Sequence, residues 1–452
     1  MKMYETPQSL DKYLDVKLEC SCGKTHYVPI KGVEISSGAL NKLPDYVKTL
    51  GYKKPLILCD EITYKVAGKR CGELLDFSEI NPIVHILTHI GFDEATLGEI
   101  VINIPDGCDL IIGVGTGSIT DITRYSSFKL KLPCFTVATG APMDGFAASI
   151  GIMNVNNLKA TMPAHCTEVI IGDTDILKTA PYRMTVAGFG DLIGKLTCLN
   201  DWELARIING EHYCANITRL VRECVADVMK EAPRIKDRDP ETLGHIMRGL
   251  VLSGSAISLY GDSRPASGAE HHMSHYWETI LEQQGERPAM HGEQVAVGTV
   301  LVLMLIEELL KENVDFEAAR ADAHAYNFEA WKASVIEHYG AAADEVIAME
   351  ERVGKNATEG RLHRIDSMER NWNTVCAQLR SLTSASSLRA LLKDIGCPYS
   401  PSQINVDDSL LKDTFLYCKE IRPRYTVFQT VYDLGLMDKL SDRVIARVKA
   451  EN

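Results

Sequence analysis

The sequence predicts two domains: an α/β domain at residues 1–180 and an all-helical domain at residues 181–452. Two observations carry this prediction. Between residues 33 and 176, short apolar runs alternate with helical patterns, which is typical of a mainly parallel sheet with helices on both faces. From about residue 180, strand-like runs disappear and long amphipathic patterns at helical spacing take their place. A chain of 452 residues is long enough for both domains.

Six short runs rich in apolar residues are the predicted strands. They are VEIS at 33–36, PLILCD at 55–60, PIVHIL at 82–87, DLIIGVG at 109–115, CFTVAT at 134–139 and EVIIGD at 168–173. Helical patterns at 39–51 and 118–130 fill two of the connections, and residues 150–163 predict a β-hairpin around Asn156-Asn157. In sheets of this kind, ligands bind beyond the carboxyl ends of the strands.

The second half of the chain predicts helices almost throughout. Amphipathic patterns fill 182–230, 241–262, 268–284, 291–312 and 317–352, and a helical tail follows from 353 to 452. The loop GERP at 285–288 places His291 at the start of a helix. The apolar run at 295–310 is too short for a membrane span and is flanked by glutamates, so it predicts a buried helix.

Composition excludes some classes of function. The net charge of −13 argues against nucleic-acid binding, which depends on basic side chains at phosphates. The first fifteen residues lack the apolar core of a secretory signal, so we expect a cytoplasmic protein that does not bind membranes. Thirteen cysteines scattered over a long chain indicate reduced and mostly buried thiols.

One cysteine segment resembles half of a zinc site. Cys20, Cys22 and His26 lie in CSCGKTH, but no second pair of ligands stands nearby in the sequence. Structural zinc needs four ligands, so we favour a hairpin turn about Gly23 and Lys24 that carries two incidental thiols.

The most informative strand end is the glycine-rich turn of IIGVGTGSITD, residues 111–121. Gly113, Gly115 and Gly117 would let the backbone approach a phosphate, and a helix that opens at Ser118 offers unpaired N–H groups to an anion. The turn is therefore a candidate pyrophosphate cradle in a Rossmann-like domain. It departs from the usual GxGxxG pattern, and a glycine-rich turn without a ligand is an equal alternative.

Two aspartates stand at other strand ends of the same domain. Asp60 follows PLILCD, where a carboxylate can accept hydrogen bonds from a ribose 2′-hydroxyl and repel a 2′-phosphate, which predicts NAD rather than NADP. Asp60 would serve equally well as a helix N-cap. Asp144 is the charged residue of the small-residue loop at 138–149, where it either reaches a ligand or stabilises a turn.

Three segments of the helical domain carry a candidate metal site. GFGDLIGK at 188–195, GAEHHMSH at 268–275 and MHGEQ at 290–294 supply Asp191, His271 and His291, an oxygen and two imidazoles. Three protein ligands leave a coordination position for a substrate oxygen, which is the pattern of a catalytic metal.

Helical spacing leaves one ligand open. Asp191 and Lys195 are four residues apart and share a helix face, as do His271 and His275. An HxxxH pair can bind one metal through both imidazoles, so His275 is a rival to His271. The sequence spacing does not decide between them.

Taken together, these motifs resemble the bacterial sn-glycerol-1-phosphate dehydrogenase family. This family belongs to the superfamily of glycerol dehydrogenase, iron-containing alcohol dehydrogenases and dehydroquinate synthase. The resemblance covers nearly the whole chain, and the block SRPASGAEHHMSH with the tail is its most specific part. The matching segments are GVGTGSITD, TGAPMDGFAAS, GFGDLIGK, SRPASGAEHHMSH, MHGEQVAVGT and IRPRYTVFQTVYDLGLMD.

The resemblance implies a set of site residues. It implies metal ligation by Asp191, His271 and His291, with zinc or nickel as the ion, and substrate contacts by Asp144, Asp191 and His275, so that His275 stands beside the metal. The family usually has a serine at the position of Ala148, which is followed here by Ser149. The implied NAD(H) or NADP(H) contacts are Asp60, Gly115, Thr116, Gly117, Ser118, Ile119, Thr139, Gly140, Ala141, Pro142 and Ala148.

The activity implied by the family is reversible, metal-dependent reduction of dihydroxyacetone phosphate to sn-glycerol 1-phosphate, in a homodimer. The proton donor would be His275 or a water relayed through Asp144. Lys195 and Arg264 are candidates for the substrate phosphate, with structural salt bridges as their alternative. Three other functions remain open: a glycerol dehydrogenase, a dehydroquinate-synthase-like lyase without net NADH turnover, and a non-catalytic descendant.

Overall fold

The computed structural model describes residues 12–155 and 158–451, without the side chains from 152 to 161. Asn156-Asn157, the predicted hairpin tip, and the first eleven residues lie outside the described part. The chain forms two compact units. The first contains the residues up to Leu192 together with Cys214–Ser263, and the second contains Ile193–Tyr213 together with the residues from Arg264 onward. The boundary predicted at residue 180 stays a prediction.

A six-stranded parallel sheet forms the centre of the first unit. All six strands predicted from the apolar runs are present, each within one residue of its predicted ends, so the predicted α/β class is confirmed. The sheet strands are β3 (Gly32–Ser36), β4 (Pro55–Cys59), β5 (Ile83–Ile86), β6 (Leu110–Gly115), β7 (Cys134–Ala138) and β10 (Val169–Asp173). They lie side by side in the order β3-β10-β7-β6-β4-β5. Two antiparallel pairs accompany them: β1 (Leu18–Glu19) with β2 (Thr25–His26), and β8 (Ile150–Val155) with β9 (Leu158–Pro163).

The central strands of the sheet are buried along their whole length because helices cover both faces of the sheet. Alternate residues of β4 point to opposite faces, so Ile57 joins one apolar cluster and Leu56 the other. The helices of this unit are α1 (Leu43–Thr49), α2 (Glu61–Thr63), α3 (Lys69–Phe77), α4 (Glu94–Asn103), α5 (Ser118–Leu130), α6 (Thr174–Leu177), the start of α7 (Tyr182–Asn209), α8 (Ala215–Glu231) and α9 (Pro240–Tyr260).

The helical pattern predicted over 182–230 is interrupted. Helix α7 ends at Asn209, Gly210 adopts a positive φ of 67°, and α8 begins at Ala215. Glycine adopts this left-handed conformation without steric cost, which is why it commonly follows a helix end. The interruption falls where the chain passes from the second unit back into the first.

The second unit is helical throughout its described residues, as predicted. Helix α11 begins at His291, where the loop at 285–288 predicts a helix start. No helix of the described chain is long and apolar enough to cross a membrane. The helices that follow α7 in this unit are α10 (Ala269–Gln283), α11 (His291–Leu309), α12 (Phe316–His324), α13 (Phe328–Tyr339), α14 (Ala343–Val353), α15 (Thr358–Arg380), α16 (Ala385–Ile395), α17 (Asp408–Tyr417), α18 (Val427–Asp433) and α19 (Met437–Glu451).

Candidate functional site

The glycine-rich turn connects β6 to α5 at the carboxyl edge of the sheet. Gly117 has a φ of 52° and a ψ of −117°, a conformation that essentially only glycine adopts without strain. A Cβ atom on Gly115 would lie 2.8 Å from Cβ of Ile119, so this position also requires glycine. The backbone N–H of Thr139 donates to Gly115 at 3.2 Å and ties the turn to the end of β7.

The residues of this turn fit a phosphate-binding role. Helix α5 starts at Ser118, and the first N–H groups of a helix attract anions. The buried hydroxyl of Thr116 has no hydrogen-bond partner within the described chain. A buried polar group without a partner is costly, and a ligand oxygen at this turn would relieve that cost.

Asp60 lies at the end of β4, the neighbour of β6. It caps α2: its Oδ1 accepts from the backbone N–H of Thr63 at 2.6 Å, and its own backbone N–H donates to the Thr63 hydroxyl at 2.9 Å. The N-cap alternative from the sequence is therefore present. The second carboxylate oxygen, Oδ2, makes no hydrogen bond to the described residues, so capping and ribose recognition are compatible in one side chain.

The loop after β7 packs against the same turn. A Cβ atom on Gly140 would lie 3.8 Å from the Thr116 side chain and 2.9 Å from the Met184 sulfur, so the loop passes close to both. Thr139 and Ala141 are buried. The carbonyl of Ala148 accepts a hydrogen bond from the buried guanidinium of Arg124, which fixes the far end of the loop.

Asp144 links this loop to helix α7. Its backbone N–H donates to Oδ2 of Asp191 at 2.8 Å, and its own Oδ2 accepts from the Ser253 hydroxyl at 2.7 Å. Asp191 is fully buried. These contacts orient both carboxylates and make Ser253, on α9, a residue of the site that sequence reasoning missed.

Helices α10 and α11 bring three imidazoles together. The ring centroids of His271 and His291 lie 5.2 Å apart, and His275 lies 5.6 Å from His291 and 6.2 Å from His271. Nδ1 of His271 lies 2.7 Å from Oε1 of Glu270, which is completely buried and also accepts from the Thr197 hydroxyl at 2.6 Å. A carboxylate behind an imidazole in this way fixes the ring that binds a metal.

Helix α7 passes so close to α10 and α11 that it requires glycine at residue 194. A Cβ atom there would lie 2.5 Å from Val295, 3.2 Å from Cγ of Glu270 and 3.7 Å from Cε1 of His271. Asp191 lies one helical turn before Gly194. Within the second unit, His271 and His291 offer two imidazoles whose ring centroids lie 5.2 Å apart, and such donors suit zinc or nickel. Asp191 stays the third ligand that the resemblance implies.

His275 belongs to a second, overlapping group. Its Nδ1 lies 3.3 Å from Oε2 of Glu278, and His275, Glu278 and His291 also have ligand atoms within 4.8 Å of one another. Burial lowers the pKa of His275 to about 3, against the opposing effect of Glu278. The imidazole is therefore neutral at physiological pH.

The two cations considered for the substrate phosphate have protein partners. The buried ammonium of Lys195 donates to the carbonyl of Ala266 at 2.9 Å. The guanidinium of Arg264 binds both carboxylate oxygens of Glu211 and donates to the carbonyl of Tyr425 at 2.8 Å. Arg264 thus forms the salt bridge that the sequence left as its alternative.

Sequence reasoning missed Glu270, Glu278 and Ser253. Glu270 directly precedes His271, but adjacent residues of a helix usually face different directions, so the spacing gave no signal. Glu278 follows His275 by three residues and shares its helix face, a signal that was available. Ser253 lies in an apolar helix with nothing local to distinguish it.

Known proteins resemble this chain over most of its length. A family model described as iron-containing alcohol dehydrogenase matches residues 34–181. A Bacillus licheniformis protein named glycerol-1-phosphate dehydrogenase [NAD(P)+] is 28% identical over 427 residues, which cover 93% of this chain and 94% of that protein. A relative of the same name from Halalkalibacterium halodurans is 32% identical over 66% of this chain and 77% of its own length. The chain belongs to the glycerol-1-phosphate dehydrogenase family.

Membership in the glycerol-1-phosphate dehydrogenase family confirms the resemblance that the motifs predicted. Solved structures show the same fold at low identity. Glycerol dehydrogenase from Schizosaccharomyces pombe has a TM-score of 0.61 at 16% identity, and the match covers 93% of this chain and 92% of the dehydrogenase. Maleylacetate reductase from Agrobacterium tumefaciens has a TM-score of 0.61 at 14% identity, and the match covers 93% of this chain and 97% of the reductase.

Proposed function

We propose that this protein reduces dihydroxyacetone phosphate to sn-glycerol 1-phosphate with NAD(P)H, reversibly, and that the reaction requires one divalent metal ion. The observation that carries the proposal is the pair of His271 and His291, whose ring centroids lie 5.2 Å apart in a chain of the glycerol-1-phosphate dehydrogenase family. The family relatives carry the name of this activity. The same resemblance supports a cytoplasmic homodimer.

Zinc or nickel held by Asp191, His271 and His291 would polarise the ketone oxygen of the substrate, and the nicotinamide would supply the hydride. The side chains around these ligands serve to hold them in place. Glu270 orients the ring of His271, and the backbone N–H of Asp144 holds Asp191 through its Oδ2. Both supports are therefore positioning contacts for the metal ligands.

Proton delivery to the substrate oxygen is the task we assign to His275 and Asp144. Nδ1 of His275 lies 3.3 Å from Oε2 of Glu278 and would donate to that carboxylate, so Nε2 presents its lone pair. In the oxidation direction Nε2 would accept the proton of the substrate hydroxyl, and the imidazolium formed, held by Glu278, would return that proton in the reduction. The carboxylate of Asp144, held by Ser253, would position a water for the same purpose.

For the cofactor, we propose that the turn from Gly115 to Ile119 and the stretch from Thr139 to Pro142 hold the pyrophosphate. The hydroxyl of Thr116 and the start of α5 would bind its oxygens. Asp60 would accept from the ribose 2′-hydroxyl, which favours NADH over NADPH because its charge repels a 2′-phosphate. Ala148 supplies no side-chain hydrogen bond.

The deciding experiment follows NADH absorbance with dihydroxyacetone phosphate on metal-stripped protein, before and after addition of zinc or nickel. We expect turnover to return with metal in the unaltered chain and to stay absent in Asp191→Ala and His291→Ala. His89→Ala is the matched control, because His89 is exposed and pairs with Asp93 on the surface. That variant should keep full activity.

Other outcomes select the remaining functions. Faster oxidation of free glycerol than of glycerol 1-phosphate would identify a glycerol dehydrogenase. NADH binding without net turnover under any metal would exclude the dehydrogenase and favour a lyase that returns the hydride within one cycle. Full activity in His291→Ala would refute the proposed metal ligands.

A further inference from the structure

The segment CSCGKTH forms a tight hairpin between β1 and β2. Leu18 pairs with His26 across the hairpin, and the reversal occurs at Gly23, whose φ is 87°. The backbone N–H of Gly23 donates to the carbonyl of Cys20 at 3.1 Å. This local structure is the turn expected from the sequence, and it brings Cys20, Cys22 and His26 to one place.

A fourth potential ligand reaches the hairpin from far along the chain. Cys214 is the N-cap residue of α8, and its sulfur lies 3.6 Å from that of Cys20 and 3.5 Å from Nε2 of His26. The sulfur of Cys22 lies 3.3 Å from the same nitrogen. The ligand atoms of all four residues lie within 4.8 Å of one another, so the missing fourth ligand that argued against zinc is present.

Three of the six separations between these ligand atoms are close to those of a tetrahedral zinc site. Bonds of about 2.3 Å to sulfur and 2.0–2.1 Å to nitrogen place two sulfurs about 3.8 Å apart and a sulfur and a nitrogen about 3.6 Å apart. The observed distances of 3.6 Å between sulfurs and of 3.3 and 3.5 Å between sulfur and nitrogen are close to these values.

The surroundings of the cluster orient the ligands for a cation. Nδ1 of His26 lies 2.7 Å from the carbonyl of Leu259, so Nδ1 carries the proton and Nε2 presents its lone pair to the three sulfurs. The side-chain amide of Asn216 donates to the sulfur of Cys20 at 3.2 Å, a contact that favours a thiolate. His26 and Cys214 are buried.

We propose that Cys20, Cys22, His26 and Cys214 bind one zinc ion as a closed, structural site. Four protein ligands fill a tetrahedron and leave no position for a substrate, unlike the three ligands proposed for the catalytic metal. The ion ties the N-terminal hairpin to the first residue of the segment Cys214–Ser263, where the chain re-enters the first unit. Leu259 adds the end of α9 to the same junction.

The full-length chain allows a test that is independent of dehydrogenase activity. Asp191→Ala serves as the background, because it removes a ligand of the proposed catalytic metal. We expect this variant to retain about one zinc per chain by elemental analysis, and Cys20→Ser or Cys214→Ser added to it to lose that zinc. Cys108→Ser is the matched control, since Cys108 is a partly buried cysteine outside the cluster, and its sulfur donates to the carbonyl of Leu110 at 3.4 Å.

Cobalt provides a second readout, which does not depend on whether the cysteine variants fold. Replacing zinc by cobalt in the Asp191→Ala protein should produce a thiolate-to-cobalt charge-transfer band and the intense visible bands of a tetrahedral site. A cobalt-loaded protein without thiolate bands would overturn the proposal. A disulfide between Cys20 and Cys214, found by peptide mass spectrometry under non-reducing conditions in freshly purified protein that lacks zinc, would overturn it too.

Discussion

Oε1 of Glu270 lies 2.7 Å from Nδ1 of His271, and both side chains are buried on α10. Burial alone would raise the pKa of Glu270, but the hydrogen bonds from His271 and Thr197 outweigh burial and hold the pKa below its usual range. Glu270 is therefore an anion that accepts from His271. Nε2 of His271 is left as the nitrogen with a lone pair, which is the form a metal binds.

Replacing Glu270 by glutamine should weaken metal binding without removing a ligand. The amide loses the charge and one acceptor, so His271 is less firmly held in its metal-binding form. We expect the affinity for zinc to fall by about 10- to 100-fold, measured by competition with a chromophoric chelator. Glu203→Gln is the control, because Glu203 forms an exposed pair with Arg206 on α7, and its affinity should be unchanged. Equal affinities in Glu270→Gln and the unaltered protein would rule out this role.

Alanine at Gly117 should weaken NADH binding through backbone strain alone. A Cβ atom at Gly117 would meet no other atom within 4 Å, yet its φ of 52° and ψ of −117° cost an alanine about 1–3 kcal/mol. We expect roughly tenfold weaker NADH binding by fluorescence titration. Gly98→Ala is the matched control, because Gly98 lies in α4 without a positive φ and a Cβ atom there would meet no atom within 4 Å. This variant should bind NADH as the unaltered protein does. If both variants bind NADH equally well, the turn is not the cofactor cradle.

Asparagine at Asp60 should change the choice of cofactor while it keeps the cap on α2. Asparagine caps helices about as well as aspartate, but it cannot repel a 2′-phosphate. We expect the ratio of kcat/KM for NADPH over that for NADH to rise by about tenfold, or about 1.4 kcal/mol. Asp93→Asn is the control, because Asp93 caps α4 in the same way through the Thr96 N–H at 2.9 Å. An unchanged ratio in Asp60→Asn would assign Asp60 to capping alone.

A buried ion cluster in the second unit should make stability depend on pH. Glu420 is 2% exposed, pairs with the ammonium of Lys419, lies 3.3 Å from that of Lys355 and accepts from Asn356 at 3.0 Å. Burial opposes ionisation of Glu420, but the two lysines prevail and lower its pKa from 4.5 to about 2. A carboxyl with a lowered folded-state pKa stabilises the fold above its unfolded pKa, and this contribution is lost as the pH falls toward 2.

Glu420→Gln should therefore be destabilising at pH 7, by about 3 kcal/mol, and less so in acid. We expect about 2 kcal/mol of the difference between this variant and the unaltered protein to disappear between pH 7 and pH 3, measured by urea unfolding. Glu369→Gln, which breaks an exposed pair with Arg320, should differ little from the unaltered protein at either pH. A difference for Glu420→Gln that stays constant with pH would contradict the lowered pKa.

The sheet was predictable because its signal is local. Residues 55–59, 110–115 and 134–138 are buried at every position, so each central strand appears as a continuous apolar run between polar turns. The predicted helix at 118–130 matches α5 at both ends, since Gly117 and Lys131 mark its limits with positive φ values. Local chemistry thus decides where these elements begin and end.

The contacts that complete the sites were not predictable, because they join segments that are distant in sequence. Cys214 approaches Cys20 across 194 residues, and Ser253 approaches Asp144 across 109. A single cysteine or serine in a helical region carries no periodicity that could reveal such a partner. No second pair of ligands lies near CSCGKTH in the sequence, so the sequence alone favoured a hairpin over a zinc site. The hairpin itself was predicted correctly.

The partners of the N-terminal hairpin also determine when it can acquire its final structure during synthesis. Cys214 meets Cys20 across 194 residues, a length that a ribosome takes roughly 10–40 s to translate. Throughout that interval, Cys20, Cys22 and His26 have left the ribosome without the fourth ligand. The zinc site proposed above therefore stays incomplete on the nascent chain, with its first two thiols without the metal, until Cys214 is synthesised.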